Sequence, residues 1–384
     1  FVRRTAVLLP ALLGALAAVS CSRPGYVLGF AGDLSGVAAD LSVAARNGVT
    51  LSLEDVNRSG GVGGQKLRLL SLDDHGDPSL AIDADRSLLD QGAVAIIGHF
   101  TSAVSLLALP AVEFRQRVMI SPFASSPLLA DRPARLFFML QSDAGTEASA
   151  LASVALEQRV NAVTLIIDEG NRPYTEQFAS GFEARFVPGG GRIERSIRIL
   201  GGESGDREAA DSCIRLKPGA LLFCLDAEDT AFLCQRIRLA GLHPRLFSSN
   251  WVMTADLPRY GGAAVEGLVS MGDLDQGATN PRSLAFRMAY RRRFGMDPPL
   301  VAYFGYETVT ALARALGRAR GAGDLAAALR ACGPYPGIQG DFFFDEQGRA
   351  RRSLKSFVVY HGRFVQADSL LYAGRDAGSA EPRP

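Results

Sequence analysis

The sequence has few of the residues that most catalytic and metal sites need. Its 384 residues include four histidines, five cysteines and one tryptophan. The cysteine spacings do not fit a zinc site, and no serine lies in the strand-turn-helix context of a hydrolase nucleophile. The glycine-rich run at 60–64 follows a predicted helix and precedes a predicted strand, the reverse of a nucleotide-binding loop. The sequence therefore predicts no metal, no cofactor and no enzyme activity.

An excess of charge of either sign is also missing. The chain carries 41 basic and 40 acidic side chains, so its formal net charge is +1. This balance gives no electrostatic reason to expect a nucleic-acid partner. With 47% hydrophobic residues, a chain of this length can form two domains or one large α/β unit.

The apolar stretch near the N-terminus, Ala6 to Val19, is shorter than the roughly 20 residues of a membrane-spanning helix. Because Arg3-Arg4 precede it and small residues follow, it predicts a secretory signal over residues 1–20. Cys21 follows the small residues as in the bacterial lipobox, a resemblance that implies an acylated cysteine and a lipid anchor in the membrane. Ala18 stands where that motif usually has Leu, so a plain secreted protein is the alternative. Both interpretations place the protein in the periplasm or on the extracellular face.

Four other cysteines lie further along the chain, at Cys213, Cys224, Cys234 and Cys332. An oxidising compartment permits disulfides, and Cys213 and Cys234 lie on predicted helices where they could pair or stay free. Cys224 lies in an apolar run that predicts a buried strand. At the C-terminus, residues 373–384 are rich in Gly, Ala and Pro and are predicted to form a disordered tail.

Short apolar runs alternate with helical patterns along most of the chain. A predicted strand at 26–32 precedes a helix to about 58, and Asp77-Pro78 opens another helix after the strand at 66–72. Regular alternation of this kind predicts parallel sheets with helices on both faces, and a break near 130–150 predicts two such sheets.

Two of the predicted strands end in loops of small and hydroxyl-bearing residues. Residues 96–102 read Ile-Ile-Gly-His-Phe-Thr-Ser, and residues 120–127 read Ile-Ser-Pro-Phe-Ala-Ser-Ser-Pro. At the carboxyl ends of strands in an open α/β sheet, such loops bind a small polar or anionic group. The pattern predicts a protein that holds a small molecule.

Six short motifs occur in a characteristic order and spacing: Gly60–Gly64, Asp73–Pro78, Ile96–Gly98 with Ser102, Ile120–Pro122, Ala302–Glu307 and Phe344–Gly348. Together they resemble the type I periplasmic solute-binding proteins, specifically the leucine/isoleucine/valine-binding family of ABC importers. The resemblance implies two Rossmann-like parallel-sheet lobes joined by three crossings, with a ligand cleft between them. Lobe one is expected at 26–141 plus 273–345, and lobe two at 142–270 plus 350–372.

The resemblance also implies a function. The protein is expected to capture an amino acid or related small molecule, and a membrane permease is expected to recognise the closed form. The alternative is a ligand sensor of the same fold that reports amide or amino-acid availability to a signalling partner.

In lobe one, the resemblance implies that Ser102, Ala124 and Ser125 hold the carboxylate of the ligand and part of its ammonium. Hydroxyl groups and backbone N–H groups at helix N-termini suit a carboxylate, although the two serines could also simply cap helices. Phe100 and Phe123 lie in the same loops. They could form an aromatic floor of the cleft or pack in the core.

In lobe two, Tyr174 matches a cleft tyrosine of the family, although it could instead pack on the sheet. Trp251 stands near the position where relatives that bind amino acids often have a Glu for the ligand ammonium. Asp226 could supply the missing anion or cap the helix that begins near Asp229. Trp251 is then either a stacking platform for the ligand or a buried anchor.

Two histidines remain ambiguous. His99 follows Gly98 directly and could make a pH-sensitive contact or serve as a structural hydrogen-bonding group. His75 adjoins Asp73 and Asp74, but three neighbouring residues do not easily converge on one metal ion, so a solvated turn is favoured.

Overall fold

The computed structural model describes residues 25–36 and 39–367. The predicted signal, Cys21 and the predicted tail therefore lie outside the described residues. The strands are β1 Tyr26–Gly32, β2 Leu67–Asp73, β3 Ala93–Ile97, β4 Val118–Ser121, β5 Phe137–Met139, β6 Ala162–Asp168, β7 Arg192–Ile199, β8 Ala220–Cys224, β9 Arg245–Ser248, β10 Val269–Gly272, β11 Phe343–Phe344, β12 Ala350–Arg351, β13 Lys355–Val359 and β14 Phe364–Gln366. The α-helices are α1 Ala39–Arg58, α2 Pro78–Asp90, α3 Ser102–Phe114, α4 Pro127–Ala130, α5 Ala144–Glu157, α6 Arg172–Phe186, α7 Glu203–Leu216, α8 Ala227–Leu239, α9 Asp256–Gly261, α10 Pro281–Phe294, α11 Leu300–Leu316 and α12 Leu325–Ala331.

The strands form two separate large sheets, which confirms the predicted α/β fold class. The first sheet has the order β2-β1-β3-β4-β5 and is parallel throughout. The second has the order β14-β13-β10-β9-β8-β6-β7, in which β6 to β10 are parallel and β13 and β14 add antiparallel strands at one edge. Every residue of β8 is buried, as expected for a parallel strand covered by helices on both faces.

Local capping signals fix where several helices begin. The carboxylate of Asp77 accepts hydrogen bonds from the backbone N–H of Ser79 at 2.7 Å and of Leu80 at 3.1 Å, and Pro78 is the first helical residue of α2. Asp143 caps α5 in the same way through Thr146 N at 3.0 Å. These carboxylates satisfy N–H groups that have no partner within the helix.

Lobe one, built on the first sheet, contains two distant parts of the chain. Helix α11 returns from the C-terminal part of the sequence and packs closely on α1. A side chain at Gly48 would overlap the carbonyl oxygen of Ala302, and one at Gly305 would overlap that of Ala45. The two glycines therefore allow the backbones of these helices to come together.

The chain passes between the lobes three times, and the three passages are hydrogen-bonded to one another. Asp273 accepts hydrogen bonds from the N–H of Ser142 at 2.8 Å and from its hydroxyl at 2.6 Å. The guanidinium of Arg352 donates to Leu140 O at 2.8 Å and forms an ion pair with the buried Glu307. Since β12 pairs with β11 on the lobe-one side, lobe two resumes only at β13, later than the predicted residue 350.

From the sequence, Cys213 and Cys234 could either form a disulfide or stay free. In the structure, both residues are free, buried thiols. Cys224 and Cys332 are also free and buried. None of the described helices is long and apolar enough to cross a membrane.

Candidate functional site

A cleft of about 790 Å³ lies between the two lobes. The parallel strands of the two sheets follow the same order. In lobe one, β1 lies between β2 and β3, and in lobe two, β6 lies between β7 and β8. Ligands of such sheets bind at the carboxyl ends of the strands, where the order reverses. The loops after β1, β2 and β3 line the cleft from lobe one, and those after β6, β7 and β8 line it from lobe two.

The lobe-two side of the cleft is lined by carboxylates. Six of them, here called the acidic wall, are Asp168, Glu203, Asp206, Asp226, Glu228 and Asp229. Lobe one adds Asp33 and Asp74, and among the described residues no arginine or lysine lines the cleft. The space is therefore strongly electronegative.

Burial and mutual repulsion raise the pKa values of several carboxyl groups in the acidic wall. Desolvation and the nearby charge of Asp206 raise the pKa of Asp229 to about 7, and desolvation and the charge of Asp229 raise that of Asp226 to about 6. Desolvation also raises the pKa of Asp206, whose carboxyl is hydrogen-bonded to that of Asp229. Neighbouring carboxylates without a counter-charge favour protonation.

Like charges also meet across the cleft. Asp40, on the lobe-one helix α1, lies near Asp256 and Asp226 of lobe two. Desolvation, followed by the repulsion of these two carboxylates, raises the pKa of Asp40 to about 6. Bringing the lobes together therefore brings negative charges together.

His99 forms a buried, hydrogen-bonded triad with Asp74 and Asp85 on the lobe-one side of the cleft. Its Nδ1 lies 2.5 Å from Asp74 Oδ2, and its Nε2 lies 3.2 Å from Asp85 Oδ2. Burial opposes the charged ring, but the charge of Asp85 and hydrogen bonds to both carboxylates raise the pKa of His99 to about 9. The ring is therefore an imidazolium at neutral pH. Since the triad is buried, His99 fits the structural alternative left open by the sequence.

Six of the eight predicted ligand-binding residues meet around a second, much smaller space beside the cleft. It is lined by Phe100, Ser102, Phe123, Ala124, Asn171, Tyr174 and Trp251, and its volume is about 10 Å³. A space of that size holds about one water molecule. In this conformation the predicted residues are thus brought together but enclose no room for an amino acid.

The N-terminus of α3, where a ligand carboxylate was expected, instead contacts lobe two. The side-chain oxygen of Asn171 accepts the N–H of Ala103 at 3.1 Å, and the hydroxyl of Ser126 donates to Pro173 O at 2.5 Å. Ser102 Oγ accepts the N–H of Ser126 at 3.1 Å. The N–H of Ala103 at this helix N-terminus is therefore already satisfied by the protein.

The alternative that Ser102 and Ser125 cap helices is wrong, because the neighbouring residues occupy the capping positions. Thr101 caps α3 through Val104 N at 3.4 Å, and Ser126 occupies the capping position of α4. Ser125 is fully buried, lines neither space, and its hydroxyl has no hydrogen-bond partner among the described residues. A binding role for Ser102 and Ser125 stays a prediction.

The aromatic residues divide between the two spaces. Phe100 and Trp251 line both, whereas Phe123 and Tyr174 line only the small one. The ring of Tyr174 lies edge-on to that of Trp251, with centroids 5.9 Å apart, and burial followed by the charge of Glu147 raises its pKa well above its usual value. Trp251 is half-buried, so one part of its indole packs on Tyr174 while another part borders the cleft.

Asp226 caps α8, as one of its two predicted roles requires, through Asp229 N at 2.9 Å. It also lines the cleft, and its pairing with a ligand ammonium stays a prediction. Sequence reasoning missed the rest of the acidic wall and Asn171. Asp168 ends β6, so the rule that ligands bind at strand ends could have found it. Asp206 lies inside α7, and no local pattern marks it.

The cleft contains no evident metal centre. Across the described ranges, 25–36 and 39–367, no group of three or more His, Cys, Asp or Glu side chains is arranged to hold a metal ion.

Known proteins with the same architecture bind solutes. The profile of a family described as periplasmic binding protein matches residues 26–362. The leucine-, isoleucine-, valine-, threonine- and alanine-binding protein of Pseudomonas aeruginosa is 23% identical over 356 residues, which cover 91% of this chain and 92% of the relative. A leucine-binding protein of Thermotoga maritima superposes with a TM-score of 0.81 at 21% identity, over 90% of this chain and 99% of its own. A solute-binding protein of an ABC transporter from R. palustris, solved with benzoate, gives a TM-score of 0.81 at 18% identity, over 89% of this chain and 95% of its own.

Proposed function

This chain belongs to the periplasmic binding protein family, and we propose that it captures a small-molecule solute between its two lobes for an ABC importer. The observation that carries the proposal is the cleft of about 790 Å³ at the facing carboxyl ends of two parallel sheets. Its volume lies within the range of small-molecule sites, roughly 300–1,000 Å³. The family consists of binding proteins of transporters and not of enzymes.

The proposed solute is an amino acid or a related small molecule that carries an amine. Asp226 is proposed to face the ammonium, because a buried ammonium needs an anionic partner. Phe100 and Trp251 are proposed to contact the apolar part of the solute. The similarity to relatives named for leucine, isoleucine and valine supports an amine-bearing solute.

Capture is proposed to proceed by closure of the lobes about the three crossings. Among the described residues, two hydrogen bonds, to Asn171 Oδ1 and to Pro173 O, join α3 and the cap of α4 in lobe one to lobe two beside the small space. Contacts this few are compatible with an open state of similar free energy, so a bound solute can shift the population towards the closed state. The closed form is proposed to be the one that a permease recognises.

The protein is proposed to act outside the cytoplasm, where the family is found. The signal-like N-terminus and Cys21 support a lipid anchor that keeps the lobes near the membrane. Intact-mass measurement of the protein from a bacterial host tests this, because acylation of Cys21 adds a diacylglyceryl mass that a Cys21→Ser variant lacks. An unmodified or cleaved N-terminus would favour a freely secreted protein.

A thermal-shift screen over amino acids, amines, amides and aromatic acids tests the main proposal. A compound that binds only the native state raises the apparent stability. Trp251→Ala is expected to abolish the shift, whereas Phe114→Ala, which removes an aromatic side chain that is 85% exposed, leaves it intact. Recovery of a chemically altered compound from the complex, or an equal shift in both variants, would contradict the proposal.

A further inference from the structure

Most of the acidic wall has no cationic partner in the part of the chain that the structure describes. There, Glu203 is the one member of the six that forms an ion pair, with Arg207 on the same helix. Among the described residues, no arginine or lysine pairs with the other five carboxylates. Taking such charges out of water costs free energy unless a positive charge or a proton accompanies them.

Within the acidic wall, Asp206 has a buried acceptor atom that lacks a donor among the described residues. Its side chain is only 4% exposed, it lines the cleft, and its Oδ1 atom has no hydrogen-bond partner in the described part of the chain. A buried acceptor without a donor is uncommon in native proteins and calls for an explanation. A donor that arrives with the ligand supplies one.

Positive charge that could bind a carboxylate on the ligand is scarce among the described residues of the cleft. Beside the acidic wall, the N–H of Ala103 at the start of α3 is already bound by the side-chain oxygen of Asn171. The His99 imidazolium borders the cleft, but it is already bound to Asp74 and Asp85. An anionic ligand would thus meet carboxylates and find no unpaired positive charge.

The remaining walls suit the hydrocarbon part of an organic cation. Phe100, Phe232 and Trp251 line the same cleft as the carboxylates, and aromatic faces attract ammonium and guanidinium groups. The six carboxylates of the acidic wall come from the end of β6, the start of α7 and the start of α8, and they outnumber the three N–H donors of one ammonium group. A molecule with more than one positive group can pair with more of them.

We propose that the solute of this cleft is an organic cation with at least two amine or guanidine groups and no carboxylate, its charges bound by the acidic wall. The inference rests on the proposed function and specifies its substrate class. Asp206 and Asp229 accept hydrogen bonds from one charged group, and the aromatic side chains contact the chain that links the groups.

Isothermal titration calorimetry of the full-length protein tests the inference with five probes: spermidine, 1,4-diaminobutane, arginine, leucine and benzoate. We expect saturable one-to-one binding of spermidine or the diamine, and no binding of leucine or benzoate. The double variant Asp206→Asn with Asp229→Asn should bind spermidine at least about tenfold more weakly, since each lost charged hydrogen bond is worth that much. Glu208→Gln removes the same charge from the exposed side of α7 and should leave the affinity within about twofold.

The melting temperature of the double variant without ligand tests whether misfolding, and not the lost carboxylates, causes the weaker binding of spermidine. Removing two mutually repelling carboxylates should leave its melting temperature unchanged or higher. Tight binding of leucine or benzoate without binding of the amines would overturn the inference and leave the proposed function standing. Amine binding that is equally weakened by Glu208→Gln, or that lacks a defined stoichiometry, would also overturn it, because such binding is non-specific. Failure of all five probes to bind would overturn it too, while the thermal-shift screen continues to test solute capture separately.

Discussion

Raising the pH from about 6.5 to about 9 should destabilise this protein by removing the proton from His99. The pKa of its ring is about 9 in the folded state against an ordinary value of 6.5. Over this interval the folded state holds a proton that the unfolded state has lost, so the free energy of unfolding falls as the pH rises. The stabilisation is complete below about 6.5 and is lost by about 9.

The size of the effect follows from the separation of the two pKa values. A difference of about 2.5 at roughly 1.4 kcal/mol per unit gives a loss of about 3 kcal/mol. Urea unfolding at a series of pH values measures it directly. His99→Gln should remove most of the slope, and the exposed His243→Gln, which loses only a contact with Arg238, should retain it.

A second substitution separates the charge of the triad from its packing. Asp85→Asn removes the charge that does most to raise the pKa of His99, so the stability should begin to fall at a lower pH. Parallel pH profiles for wild type and His99→Gln between about 6.5 and 9 would refute the reasoning, since they would mean that the ring is neutral in the folded protein.

Three further predictions concern the hinge, the cleft and the thiols. Arg352→Met should lower the free energy of unfolding by about 3–5 kcal/mol, measured in urea, because it leaves the buried Glu307 without a cation; an effect below about 1 kcal/mol would contradict the assigned ion pair. Spermidine should bind more weakly at about pH 5.5 than at about pH 8, because protonation of Asp229, whose pKa is about 7, competes with the cation; calorimetry that finds the reverse trend would refute this. Thiol reagents should leave Cys213 and Cys234 of the native protein unlabelled, since burial raises the pKa of Cys213 to about 11 and that of Cys234 to about 12, and rapid labelling of either without denaturant would contradict their burial.

Much of the fold could be predicted because its signals are local. Asp77-Pro78 marks the start of α2 through a cap and a fixed backbone angle, and the unbroken apolar run of β8 marks a strand buried on both faces. The two antiparallel strands at the edge of the second sheet follow from tertiary pairing. Neither Lys355–Val359 nor Phe364–Gln366 carries a signal for the partner that it finds.

The site was harder to predict because it depends on contacts between distant residues. The family resemblance indicated Ser102 and Ala124, and Phe100 was a candidate from the same loop as Ser102; the three residues line one small space. The resemblance could not show that Asn171, from the other lobe, would satisfy the N-terminus of α3. Nor could it show that Asp206, inside a helix, would lie beside Asp229. Both facts arise from the way in which the lobes and the helices of lobe two pack.

Closure of two lobes on a solute is most directly tested by a distance measured across the cleft. Leu80→Cys in lobe one and Leu200→Cys in lobe two place spin labels at positions 44% and 69% exposed, while the buried native thiols stay unlabelled. Pulsed electron paramagnetic resonance then gives the distance distribution with and without the tightest-binding of the five probes. We predict a broad distribution for the free protein and a single, shorter distance for the complex. Identical distributions at saturating solute would contradict capture between the lobes.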